Sequence, residues 1–157
     1  MSTIGFHRHD HDHCITDTMA RAQALCAEEG LQFTPVRQRV LEILLAEHRA
    51  LGAYDILPML AEDGLGSQPP VAYRALDFLV KNGLAHRIEL LNAYIACAHL
   101  GRAHRPAFLI CRGCGSVAEA EAPAPLADSA GATGFHVETT VVEAEGLCPQ
   151  CHEADPG

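Results

Sequence analysis

The sequence predicts an α+β protein: an N-terminal winged helix-turn-helix followed by a small α/β domain held by a structural zinc knuckle. Three observations carry this expectation. Four helical stretches, each with one apolar face, and then a short alternating stretch fill residues 17–97. Two CxxC pairs, Cys111 with Cys114 and Cys148 with Cys151, bracket a strand-helix-strand pattern in residues 98–157. The chain of 157 residues is 48% hydrophobic, enough to give both parts a core.

Residues 1–16 hold His7, His9, His11 and His13 alternating with polar and charged residues, with Cys14 beside them and no apolar periodicity. This composition predicts a disordered His-rich tail, either inert or a weak collector of metal. From Thr16 to Glu29, Met19, Ala22, Leu25 and Cys26 line one face of a helix that Gly30 stops. Thr34-Pro35 supplies a cap and a first-turn proline for a second helix, striped by Val36, Val40, Ile43 and Leu44. Residues 53–63 read as a third helix, in which Pro58 removes a backbone donor and predicts a kink or a late start. After a Gly- and Pro-rich break, VAYRALDFLVKNG is a fourth helix with Val71, Ala75, Phe78 and Leu79 inward. Residues 84–97 then alternate around Asn92 as a β-hairpin.

The second part opens with AFLICRGCGSVAEAE, a strand interrupted by a CxxCG knuckle. An Ala-rich helix follows Pro123 and Pro125 and ends by Gly134, and residues 135–148 read as a second strand leading into CPQC.

The fourth helix leaves Tyr73, Arg74, Asp77 and Lys81 outward. An arginine near the start of such a helix can make two hydrogen bonds to one guanine, and Tyr73 can touch a thymine methyl or a phosphate, so Arg74 is the expected base reader. The net charge of −9 excludes indiscriminate coating of nucleic acid, because that binding is mostly neutralisation of phosphates. No part of the chain is basic overall; residues 17–85 carry six basic and nine acidic side chains. A dimer reading a specific double-stranded site through few phosphate contacts is therefore expected. No segment reads as a membrane span or a signal peptide, which predicts a cytoplasmic protein.

In a reducing compartment, four cysteines in two CxxC pairs favour metal over disulfide, and tetrahedral zinc over an iron–sulfur centre with the same ligands. A domain of about fifty residues gains stability from such a metal. A second set lies at the hinge: His86 at the start of the hairpin, Cys97 at its end, His104 seven residues before Cys111, and Glu119 beyond the knuckle. One thiolate, two imidazoles and a carboxylate suit Zn(II) better than Fe(II), which gives two zinc ions per chain. His99 is an alternative to His104, an outer partner or a surface residue, while His136 and His152 read as surface residues. Ligands drawn from both sides of a hinge would let occupancy fix the angle between the parts, as a sensor requires.

The segments FTPVRQRVLEILL, GAYDILPMLAEDG, PPVAYRALDFLVKNGLAHRIE, YIAC, FLICRGCG and EGLCPQC, in this order and spacing, closely resemble the ferric uptake regulator (Fur) family of metal-sensing repressors, and within it the zinc uptake regulator (Zur) branch. The resemblance spans residues 17–152. It implies a winged helix, a C-terminal α/β dimerisation domain, and a homodimer that binds near-palindromic operators when regulatory zinc is bound. It puts structural zinc on Cys111, Cys114, Cys148 and Cys151 and regulatory zinc on His86, Cys97, His104 and Glu119. It adds DNA contacts at Tyr54, Tyr73 and Arg74, with Arg37 and Arg39 toward phosphates.

Two departures stand out. The iron-sensing branch usually has histidines just before the first CxxC, where this chain has Pro106, Ala107 and Phe108, and Pro58 is unexpected in the third helix. The expected function is a zinc-responsive transcriptional repressor of zinc uptake and homeostasis genes. The alternatives are a sensor of iron, manganese, nickel or peroxide, a zinc buffer protein, or a zinc or thiol enzyme. No catalytic residues and no small-molecule substrate are expected.

Overall fold

The computed structural model describes residues 11–47, 49–101, 105–122 and 125–154. Residues 1–10 and His104 thus lie outside the described residues. The elements are α1 (His11–Glu28), α2 (Pro35–Leu45), α3 (Ala53–Glu62), α4 (Pro69–Lys81), β1 (Ala85–Ile88), β2 (Ala93–Ala96), β3 (Pro106–Cys111), β4 (Val117–Glu121), α5 (Pro125–Thr133), β5 (Glu143–Gly146) and α6 (Pro149–Ala154). Among the described residues no helix is long and apolar enough to cross a membrane.

The four N-terminal helices pack round one core that includes Ala22, Val40, Leu41, Leu44, Ile56, Leu60, Leu76 and Leu79. Thr34 caps α2, its side chain accepting from the N–H of Arg37, and Pro35 sits in the first turn as the sequence predicts. α3 runs through Pro58 without a break; the proline withholds the amide that would otherwise reach the carbonyl of Tyr54. α4 buries Ala72, Ala75, Leu76 and Leu79, with Val71 and Phe78 half-buried at the flank of that stripe. The expected inward face is thus rotated slightly, and Tyr73, Arg74, Asp77 and Lys81 remain exposed.

The N-terminal boundary moves. α1 begins at His11 rather than Thr16, so the last residues of the expected tail are helical. Polar contacts stabilise this turn where apolar periodicity gives no sign of it: Thr16 Oγ1 donates to the Asp12 carbonyl at 2.9 Å, and His13 Nε2 lies 3.2 Å from Asp17 Oδ2.

β1 and β2 form the predicted antiparallel hairpin, with Asn92 at φ 48° in its turn. Its two faces have different neighbours, because side chains alternate along a strand. Ala85 and Tyr94 face the helical core, whereas Ile88 and Ile95 join a second core with Phe108, Ile110 and Val117 of the C-terminal sheet. That sheet has strand order β4-β3-β5, with β3 antiparallel to β4 and parallel to β5. The first CxxC is therefore the turn of a hairpin rather than an interruption of one strand. The second strand is shorter than expected: residues 135–142 stay outside any strand and only Glu143–Gly146 pair with β3.

Candidate metal centres and nucleic-acid face

The β3–β4 turn and the start of α6 bring the two CxxC pairs together. One ligand atom from each of Cys111, Cys114, Cys148 and Cys151 lies within 4.8 Å of the others. Cys114 Sγ and Cys148 Sγ are 3.8 Å apart. A tetrahedron of thiolates with zinc–sulfur bonds of about 2.3 Å has an edge of about 3.8 Å, so the donor set fits zinc.

The backbone prepares this site for charge. The N–H of Cys148 approaches Cys111 Sγ at 3.3 Å. That bond, followed by the N–H of Cys114, holds the Cys111 thiol down to about 6. Ser116 Oγ, 3.1 Å from Cys114 Sγ, lowers the Cys114 thiol by hydrogen bonding. Cys151 is pushed up to about 12, first by its hydrogen bond with Cys148 and then by that with Cys111. The four sulfurs share protons that a divalent cation would displace.

Gly113, inside the first pair, was not singled out from the sequence. A Cβ there would lie 3.0 Å from Cys151 Sγ and 3.2 Å from Cys151 Cβ, so glycine allows the second pair to approach.

The second site lies where the β1–β2 hairpin meets the sheet. His86, Cys97 and Glu119 each place one ligand atom within 4.8 Å of the other two. Glu119 is 2% exposed, the one buried charged side chain among the described residues, and Cys97 is also 2% exposed. Glu119 Oε1 is 3.4 Å from His86 Nε2, and Oε2 accepts the N–H of Ala98 at 2.9 Å. The His86 ring packs on Phe108 with centroids 5.3 Å apart.

Burial, with the Glu119 charge second, pushes the Cys97 thiol up to about 12. An imidazole, a thiol and a carboxylate within reach of one another are donors that zinc takes together, and so this set also fits zinc. His99 is not among the three; its N–H lies 3.4 Å from Cys97 Sγ. His104, the expected fourth ligand, lies outside the described residues. His136 and His152 are exposed, as expected.

The α4 face presents Tyr73, 40% exposed, beside exposed Arg74, and Tyr54 stands 70% exposed at the start of α3. Arg37 lies over the Phe78 ring at 3.9 Å and donates to the Gln32 carbonyl, which presets its guanidinium beside α4. Arg39 is engaged instead with Asp63 at 2.6 Å and Glu42 at 3.7 Å, contacts that compete with any phosphate.

The ferric uptake regulator family profile matches residues 28–144. The zinc uptake regulation protein of Escherichia coli (strain K12) is 36% identical over 143 residues, covering 88% of this chain and 84% of that relative. A solved zinc uptake regulator complexed with zinc and DNA is similar at a TM-score of 0.84 and 35% identity, over 91% of this chain and 98% of the other. Holo XcZur gives a TM-score of 0.77 at 34% identity over 88% of this chain and 99% of its own. The apo form of XcZur gives only 0.51 at 36% identity, over 87% and 97%. This chain is therefore more similar in structure to holo XcZur than to apo XcZur. The chain belongs to the ferric uptake regulator family.

Proposed function

We propose that the protein is a zinc-responsive transcriptional repressor whose DNA affinity depends on the His86, Cys97 and Glu119 site. The observation that carries this reading is the buried Glu119 carboxylate, which joins the hairpin and the C-terminal sheet at a point where Cys97 also contributes. Bound there, zinc would place a positive charge beside Glu119 and take Cys97 as thiolate. His86 and Cys97 belong to the hairpin side, and Glu119 belongs to β4, so closing the site sets the angle of the helical domain. His104 is the proposed fourth ligand. Cys111, Cys114, Cys148 and Cys151 hold the second zinc, which keeps the small C-terminal domain folded.

The proposed DNA face is Tyr73 and Arg74 on α4, with Tyr54 and Arg37 alongside; Arg39 is the weaker phosphate contact because Asp63 holds it. Arg74 reads a guanine edge and the others fix register on the backbone. A net charge of −9 favours a homodimer that presents two such helices to one site. Exposed Phe135, Val137 and Val141 beside β5 and exposed Leu126 on α5 support the same reading by offering apolar area for a second copy. Four thiolates leave zinc no open position for catalysis, and this supports a regulator over an enzyme. A cytoplasmic location is the one this DNA-binding reading supports.

Selection from a randomised duplex pool, under buffered free zinc, tests the function. A sequence enriched with zinc and lost on chelation is expected. Enrichment driven by Fe(II) or Mn(II) at buffered levels, without a zinc response, would transfer the reading to another metal.

A further inference from the structure

The inner face of the C-terminal sheet carries one row of side chains across all three strands. Phe108 on β3 pairs with Glu119 on β4 to one side and with Glu143 on β5 to the other. Side chains paired across a sheet share a face, so the row runs carboxylate, phenyl, carboxylate. β1 lies along it. His86 meets Glu119 at one end, and the N–H groups of Glu89 and Leu90 donate to Glu143 Oε2 and Oε1 at the other, at 2.7 and 2.8 Å. The lengths agree: two strand spacings are about 9.6 Å and three residues of strand about 10 Å. Between the two ends, Ile88 and Ile95 pack on Phe108, Ile110 and Val117.

We infer that Glu143 is a positioning residue that pins the far end of β1 to the sheet without metal, so that regulatory zinc has only the near end to close. Both oxygens of one carboxylate are committed to consecutive backbone amides, which fixes the wing turn in direction as well as distance. Because the tie is made by two backbone amides and a carboxylate and needs no metal ion, it favours the closed arrangement in advance. It therefore raises the apparent affinity of the regulatory site by linkage. Glu143 touches neither zinc nor DNA on this account. This inference rests on the proposed zinc response for its affinity arm, but not for its exchange arm.

Hydrogen exchange on the full-length protein, metal-free and zinc-loaded, tests it alongside zinc titration against a competing chelator. Glu143→Gln keeps the volume, whereas Glu143→Ala removes both acceptors. In the wild type the Glu89 and Leu90 amides are protected even without regulatory zinc. In Glu143→Ala that protection is lost, while the Tyr94 amide, bonded to the Leu51 carbonyl, keeps its own. The regulatory site should weaken about tenfold, near the lower end of ordinary coupling between sites, with structural zinc retained. Gln should fall between wild type and Ala. Protection that persists in both variants overturns the tie. Protection lost with zinc affinity unchanged overturns its positioning role. A wild-type protein that binds no DNA with zinc refutes the proposed function and leaves the exchange result standing.

Discussion

Glu119 on β4 holds its Oε1 3.4 Å from Nε2 of His86 on β1, a contact between the C-terminal sheet and the hairpin of the helical domain. With Glu119 2% exposed, this contact is the point at which the proposed regulatory zinc would link metal binding to the angle between the two parts. Replacing the carboxylate should uncouple them. Glu119→Gln should weaken regulatory zinc by at least tenfold, since the amide has no charge to offset the cation. The metal-free protein should change little in stability, because the amide oxygen still accepts the N–H of Ala98. Chelator competition and thermal unfolding of the two metal-free proteins check both halves.

The Cys97 thiol gives a pH prediction. Burial first and Glu119 second push it up to about 12, so the metal-free folded protein keeps the proton. A thiol raised in this way favours the folded state below its ordinary value of 9.0, and that contribution is lost as pH climbs from there toward about 12. Zinc must displace the same proton. Regulatory affinity should therefore rise about tenfold per pH unit between about pH 7.5 and 8.5. Cys111, held down to about 6, adds nothing in that window. A flat affinity over this range would remove Cys97 from the ligand set.

Gly113→Ala tests the approach of the two CxxC pairs. The new methyl meets Cys151 at 3.0 Å to Sγ, so the second pair must retreat. Structural zinc should be released faster to a chelator, and the melting temperature should fall by several degrees, as expected for about 1–2 kcal/mol in a chain of this size. Retention of zinc at the wild-type rate would show that the knuckle yields easily.

Arg74→Ala should cost about 1–3 kcal/mol in specific DNA affinity and relax the preference at one base pair, the signature of a guanine contact. Arg37→Ala should weaken binding evenly across sequences and reduce the salt slope by about one. Filter binding over a series of salt concentrations separates the two.

Much of this was legible because local chemistry carried it. The Thr34-Pro35 cap, the apolar stripes of α2 and α4, and Asn92 in the hairpin turn each act within a few residues, and a single sequence displays them. The cysteine pairs were legible because thiolate chemistry narrows their use. What was not legible depends on distant partners. Residues 135–142 alternate like a strand, yet only residues 143–146 pair in register with β3. The N-terminal turn of α1 rests on Thr16 and Asp17 contacts that leave no apolar period. Glu143 looks like any strand carboxylate until the parallel β3–β5 register places it opposite Phe108, 54 residues from the amide of Glu89 that it holds.

In the proposed mechanism a second zinc, at the hinge, controls DNA binding. Native mass spectrometry of wild type and Cys97→Ala, paired with DNA binding under buffered free zinc, tests it most directly. Two zinc ions per wild-type chain are expected, one in the variant, with zinc-dependent DNA binding that disappears with the second ion. One zinc in both proteins, with DNA binding unchanged, would contradict that mechanism.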